Sequence, residues 1–217
     1  MKIAEIAPEV APFSKTGGLA DVTGALPHHL AELGAEVVVV SPLHRSVAAF
    51  ELDRAHRRLK VPMGERIVEC DIATATIPGT HVTSVFIDHP DYFDREFLYG
   101  PPDGDYPDNA ERFSFFARAA LEFFKSSGEI PDIVHAHDWH VGWAAEVLAT
   151  VFDVPLVTTL HGTERGRHGG HLPFGIFARP TMQSYGVLAN RQVGRVVHPR
   201  AGVRVNTRGS SLEQRDV

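Results

Sequence analysis

A single cysteine, Cys70, is present among 217 residues. No internal disulfide can form, and a reducing cytoplasm is the expected compartment. Cys70 lies in an apolar-alternating run from Ile67 to Ile77, which makes it a packed side chain rather than a nucleophile. No apolar run approaches the roughly 20 residues that a membrane-spanning helix needs. The chain opens on a strand-like stretch, Lys2 to Ala7, and not on a basic region followed by a signal core. Positive charge is in the minority, with 21 Lys+Arg against 27 Asp+Glu and a net charge of −6, so no nucleic-acid footprint is expected. Neither G-x-G-x-x-G nor a Walker A loop occurs, and there is no cysteine pair or H-E-x-x-H of the kind that holds zinc. No internal repeat of fixed period is visible.

What is present reads as an α/β layout. Lys2–Ala7 and the β-branched run Val37–Val40 flank a helix expected from about Leu19 to Leu33 and stopped at Gly34, a strand–helix–strand unit. Val37–Val40 has no alternation, which fits a strand of a parallel sheet buried on both faces. Arg58–Met63, Ile67–Ile77 and His81–Ile87 read as short strands with turns at Gly64 and Pro78-Gly79, a β-meander inserted in the α/β pattern. Tyr92–Pro107, rich in Pro, Gly, Asp and Tyr, is expected to be a long loop, of the kind that often carries function. Asp108 is placed as the N-cap of a helix over Asn109–Lys125, whose Phe113, Phe116, Ala117, Ala120, Leu121 and Phe124 face the core. A strand over Asp132–His137, a helix over Gly142–Phe152 and a strand over Pro155–Leu160 complete a Rossmann-like, doubly wound, mostly parallel sheet.

In such sheets ligands bind beyond the carboxyl ends of the strands. Three candidate clusters fall there. Lys15-Thr16-Gly17-Gly18 precedes a helix whose unpaired N–H groups and partial positive charge suit a diphosphate. Two adjacent glycines let a ligand approach the backbone, although such a pair is more often simply a turn. His137-Asp138-Trp139-His140 is the second cluster and His161-Gly162 the third. Metal binding by His137, Asp138 and His140 is disfavoured, because no third and fourth ligands of fixed position accompany them. A clamp on vicinal sugar hydroxyls suits these residue types better. Trp139 either covers an apolar sugar face or belongs to the core, and His135 is expected to be a packed, hydrogen-bonded histidine.

Glu9-Val10-Ala11-Pro12-Phe13-Ser14-Lys15-Thr16-Gly17-Gly18-Leu19-Ala20-Asp21-Val22 resembles the N-terminal signature of bacterial glycogen synthases and plant starch synthases. Asp105–Phe113 with Phe116, Pro131–His140 and Thr158–His161 resemble further signatures of that family, in order, over residues 1–161. The resemblance implies the N-terminal half of a GT-B glycosyltransferase, two Rossmann-like domains facing a cleft. It implies transfer of glucose from ADP-glucose, or UDP-glucose, to the non-reducing end of an α-1,4-glucan with retention, without a metal or other cofactor. Lys15, Gly17 and Gly18 would then face the donor phosphates. Asp21, Asp138, His140 and Trp139 would lie on the glucose or acceptor side, and His161 near the reacting carbon. The expected partners are a nucleotide-sugar donor, a glucan acceptor and the C-terminal domain that the family normally carries, with no nucleic acid and no membrane.

The chain departs from that pattern at Gly162, where the family usually has Asn, and from about Leu172 onward. Residues 1–171 carry 14 basic and 25 acidic side chains, whereas 172–217 carry seven arginines, Glu213 and Asp216. The division expected is a catalytic domain over 1–171 and an irregular tail over 172–217, either truncated and non-native or a divergent native tail. The alternative function is a glucan- or nucleotide-binding remnant without catalysis. An NAD enzyme is disfavoured by the missing glycine fingerprint and by Ser41-Pro42-Leu43 after the second strand.

Overall fold

A computed structural model describes residues 1–54 and 58–161 and the backbone of four short strands beyond them; the side chains of Trp139 and of residues 143–146 are outside the description. The elements are β1 (Lys2–Ile6), α1 (Gly18–Glu32), β2 (Glu36–Pro42), a 3-10 turn (Arg45–Ala49), β3 (Leu59–Met63), β4 (Arg66–Thr76), β5 (Thr83–Asp88), α2 (Pro90–Phe93), α3 (Asn109–Ser127), β6 (Ile133–His137), α4 (Trp139–Phe152) and β7 (Leu156–Leu160). Four further strands follow: β8 (Gly175–Arg179), β9 (Val187–Leu188), β10 (Arg195–Val197) and β11 (Arg204–Val205). The main sheet has the order β3-β4-β5-β2-β1-β6-β7-β8, and β11-β10-β9 form a small second sheet. Strands β5, β2, β1, β6 and β7 run parallel, whereas β3, β4 and β8 pair antiparallel to their neighbours. The chain leaves β1 toward β2 on one side and returns to β6 on the other. The topological switch point therefore lies between β1 and β6.

The continuous valine run works on both faces. Val37 and Val39 enter one apolar cluster with Ile3, Phe13, Val47 and Phe86, while Val38 and Val40 face another with Ile6, Phe116 and Val134. The first cluster lies under α1, and α3 and α4 cover the second. Burial of each large side chain stabilises by roughly 1.5–3 kcal/mol. Cys70 is buried in the second cluster, and burial together with the charges of Asp71 and Asp88 pushes its thiol up to about 12.

Several elements differ from the sequence expectation. The expected meander is present, with β3, β4 and β5 pairing antiparallel in succession, and it extends the main sheet because β5 also pairs parallel with β2. Pro90–Phe93 forms one helical turn at the start of the segment expected to be a loop. Asp108 does precede α3, but its carboxylate makes no capping bond; it holds Arg95 through contacts of 2.7 and 2.6 Å. The helix expected from Gly142 starts three residues earlier, at Trp139. Asp138, with φ of 70°, makes the whole turn out of β6, so no linker is needed. Helix α3 buries Arg112 and Phe115 as well as its expected stripe, of which Leu121 is only partly buried. Gly162, and the expected tail over 172–217 apart from β8, β9, β10 and β11, lie outside the described residues.

Candidate functional site

The β1–α1 loop is built around Glu9. Its carboxylate accepts the Thr16 amide at 2.5 Å and the Thr16 hydroxyl at 3.0 Å. The Glu9 carbonyl accepts the buried Thr23 hydroxyl of α1 at 2.8 Å. Gly24 lets the loop lie directly on α1, because a Cβ there would stand 2.6 Å from the Ala11 carbonyl oxygen. Gly17 and Gly18 are different. Gly17 is extended, and a Cβ at either position would meet no protein atom within 4 Å. Gly17 has no side chain to cap α1, so the helix begins without a side-chain cap and its amino end carries a partial positive charge. Lys15 donates to Asp21 at 2.6 Å, both side chains being exposed. These two predicted site residues thus meet each other at the mouth of the loop.

The β6–α4 turn lies across the switch point. Asp138 is buried, and its amide donates to the Thr159 carbonyl of β7 at 2.7 Å. A non-glycine residue in the left-handed region at the end of a strand is held there by its surroundings. The Asp138 charge is close enough to act on Glu9, which sets this turn beside the Lys15 loop. Burial raises the Glu9 carboxyl above its ordinary range, with Asp138 reinforcing the rise; the Thr16 bonds and the Tyr99 hydroxyl oppose it. His161, at the end of β7, lies 3.1 Å through Nε2 from Nδ1 of His137. Burial first, then the adjacent His137 and His135, lowers the His161 imidazole to about 4. All three predicted clusters therefore occupy the carboxyl ends of β1, β6 and β7 on one rim of the sheet.

His140 is buried, stacked on Tyr99 at 4.6 Å between ring centres and edge-on to Phe113 at 4.8 Å. Trp139 is the first residue of α4, and its side chain lies outside the described residues. His135 is packed as expected, with Nε2 at 2.9 Å from the Thr159 hydroxyl.

Sequence reasoning missed the residues that hold this rim together. Tyr99 comes from the 94–107 loop, which reaches back over the site. Arg112, fully buried, anchors that loop: its guanidinium donates to Asn109 Oδ1 at 2.8 Å, to the Tyr92 carbonyl at 3.2 Å and to the Leu98 carbonyl. The Phe113 ring lies 4.5 Å from the same guanidinium. Burial and Arg95 lower Arg112 to about 10, so it stays charged at neutral pH. His44, buried, donates from Nε2 to the Pro8 carbonyl at 2.9 Å and fixes the start of the Glu9 loop. Glu5, in the middle of β1, has no exposed surface.

His137, Asp138 and His140 do not share one point in space, since His137 turns to Glu5 and His161 while His140 packs on Tyr99 and Phe113. Among the described residues, the groups close enough to share a cation are Glu5/His135/His137, inside the sheet, and His28/His29/Glu32, on the α1 surface. A cleft of about 800 Å³ opens at the opposite end of the sheet, beside Lys2, His28, Glu32, Thr83, Phe123 and Glu129. It adjoins the amino ends of β1, β2 and β5, away from the switch-point rim where open α/β sheets bind ligands. Among the described residues no helix is long and apolar enough to cross a membrane.

Comparison with known proteins identifies the family. The family model for the starch synthase catalytic domain matches residues 2–197. Glycogen synthase of Koribacter versatilis (strain Ellin345) is 41% identical over 201 residues, covering 86% of this chain and 41% of that protein. Glycogen synthase of Syntrophotalea carbinolica is 44% identical over 152 residues, covering 69% of this chain and 31% of that protein. The solved catalytic domain of Starch Synthase IV from Arabidopsis thaliana, bound to ADP and acarbose, superposes with a TM-score of 0.57 at 32% identity. That match covers 65% of this chain and 29% of the plant structure. The chain thus spans between about a third and two fifths of the length of these glycogen synthases. Its switch-point sheet is the Rossmann-like N-terminal half of a GT-B glycosyltransferase, and the chain belongs to the starch synthase catalytic domain family.

Proposed function

We propose that this chain forms the N-terminal wall of a retaining glucosyltransferase of the glycogen/starch synthase type. The donor is ADP-glucose and the acceptor the non-reducing end of an α-1,4-glucan. One observation supports the reading: the uncapped α1 terminus with Lys15, the buried Asp138 and His161 follow the carboxyl ends of β1, β6 and β7. Departure of the nucleoside diphosphate leaves negative charge on its phosphates and positive character on the sugar ring. Lys15 and the amides of Gly17 and Gly18 stabilise the first without a metal. Asp138 stabilises the second, and His161 holds a hydroxyl of the transferred glucose. Asp21 keeps Lys15 in place until the phosphates arrive, while Trp139 belongs to the acceptor side and His140, packed on Tyr99 and Phe113, supports the β6–α4 turn from within. Positioning and electrostatics in such a cleft are shared between two walls, so this wall alone binds its ligands weakly and transfers glucose slowly or not at all.

Amide chemical shifts of the chain titrated with ADP-glucose test this. Shifts are expected at residues 15–20 and 137–141. Gly18→Ala adds a methyl that meets no protein atom, so it keeps the fold; it is expected to weaken donor binding about fivefold or more through loss of close backbone approach. Lys15→Ala is expected to cost a similar factor, as one exposed charge on a phosphate does. Donor affinity unchanged in both variants refutes the phosphate assignment. Shifts with maltoheptaose and none with ADP-glucose would favour a glucan-binding module instead.

A further inference from the structure

Behind the rim lies a polar island inside the sheet. Ala4, Ile6, Val134 and Ala136 point into the cluster under α3 and α4, so Glu5, His135 and His137 project from the other face. Glu5 and His135 are paired neighbours across β1 and β6, and His137 and Thr159 across β6 and β7. Glu5 Oε2 is 3.4 Å from His137 Nε2, and Glu5 Oε1 is 3.8 Å from His135 Nδ1. Neither oxygen has a hydrogen-bond partner closer than these among the described residues. A fully buried carboxylate needs donors, and the two imidazole nitrogens are the groups turned toward it.

We infer that Glu5 is a positioning residue: it sets the tautomers of His135, His137 and His161 in sequence, and so makes His161 Nδ1 a hydrogen-bond acceptor. An ionised carboxylate only accepts, so His137 must carry its proton on Nε2 and His135 on Nδ1. Each neutral ring then has one lone pair left. That of His135 Nε2 accepts from the Thr159 hydroxyl at 2.9 Å. That of His137 Nδ1 accepts from His161 Nε2–H at 3.1 Å. His161 has spent its proton on His137, and its Nδ1 holds a lone pair. The order runs from the carboxylate end, each ring donating from one nitrogen toward the preceding group and keeping a lone pair on the other. Burial favours the neutral rings, lowering His137 and His161 alike. Burial also works to raise the Glu5 carboxyl, but the two imidazoles outweigh it and keep it ionised. Under the proposed function, on which this consequence rests, His161 accepts from a sugar hydroxyl and cannot donate to it through Nδ1.

Imidazole nitrogen shifts and long-range ¹⁵N–¹H correlations read the tautomers directly, without any sugar, so the result stands apart from the transfer activity. In the wild-type chain at pH 7.5, the expected pattern is His137 Nε2–H and His135 Nδ1–H, both turned toward the Glu5 carboxylate, and His161 Nε2–H, turned toward His137 Nδ1, with each favoured tautomer in about fivefold excess or more. A proton on His161 Nδ1, or on both nitrogens of His137, overturns the inference. In Glu5→Gln the carboxamide donates as readily as it accepts. With the amide spectrum showing an intact fold, the His137 and His161 populations are expected to move toward parity. Unchanged tautomers in an intact Glu5→Gln chain overturn it too. If that variant does not fold, the wild-type pattern decides alone. Addition of ZnCl₂ is expected to leave the pattern unchanged; stoichiometric binding with loss of the Glu5-facing N–H signals overturns the relay in favour of a metal site.

Discussion

His44 makes the stability of this domain depend on pH in a way that one substitution isolates. The residue follows β2, is 1% exposed and donates from Nε2 to the Pro8 carbonyl. Its Nδ1 has no hydrogen-bond partner among the described residues, and the Phe93 ring stands edge-on at 5.7 Å. A second proton would therefore sit on a nitrogen with nothing to receive it. Burial, and to a lesser degree the Arg112 charge, lowers the ring from 6.5 to about 4, although the bond to Pro8 works against the fall. The folded pKa lies below the unfolded one, so between the two values the unfolded chain holds more protons. The contribution of His44 is fully present above about pH 6.5, declines as pH falls and is lost below about pH 4. Between pH 7 and pH 5 the linkage amounts to about 2 kcal/mol. Glu5, Asp108 and Glu111, whose carboxyls are held low, contribute their own losses chiefly below that window. His44→Gln keeps an N–H near the Pro8 carbonyl and removes the titration. Urea unfolding followed by far-UV circular dichroism at pH 7, 6 and 5 should show wild type losing about 2 kcal/mol more than the variant. Equal pH dependence of the two chains would refute the buried neutral histidine.

The sheet was legible in the sequence because its signals are local. Val37–Val40 announces a strand covered on both faces, and each valine enters one of the two clusters in alternation. Phe113, Phe116, Ala120 and Phe124 announce the buried stripe of α3. The position of the three candidate clusters was legible for the same reason: each follows a strand, and strand ends of a parallel sheet share one rim. What was not legible depends on partners remote in sequence. Glu5 meets His135 across 130 positions, His44 meets Pro8 across 36, and Arg112 meets Leu98 and Tyr92 in a loop without periodicity. The available signal was a charged residue inside an apolar strand, as in Ile3-Ala4-Glu5-Ile6, or an arginine inside an apolar helical face. Either one demands a buried partner, and neither says which. Asp108 was found at the right place for the wrong reason, since a nearby guanidinium competes with the backbone amide for its carboxylate. The start of α4 was missed because one aspartate in the left-handed region replaces a linker of ordinary length.

Two further substitutions test how the rim is supported. Gly24→Ala gains about 1 kcal/mol of helix propensity but drives a methyl to 2.6 Å from the Ala11 carbonyl oxygen. A net loss of about 1–2 kcal/mol is expected from that overlap, read as a lowered Tm, while Gly17→Ala, with open space around it, should stay within about 0.5 kcal/mol of wild type. Arg112→Met keeps length and removes the charge, leaving the Tyr92 and Leu98 carbonyls and Asn109 Oδ1 without their shared donor. A loss of about 3 kcal/mol is expected, since one guanidinium satisfies three acceptors at once. The loop is the element that should fail first, because Arg112 holds it from beneath while Arg95 and Asp108 hold it from the side. Trypsin should therefore cut at Arg95 in the variant well before the sheet unfolds. Protection of Arg95 equal to that in wild type would mean that the Arg95–Asp108 pair alone secures the loop, and that Tyr99 reaches Glu9 without help from Arg112.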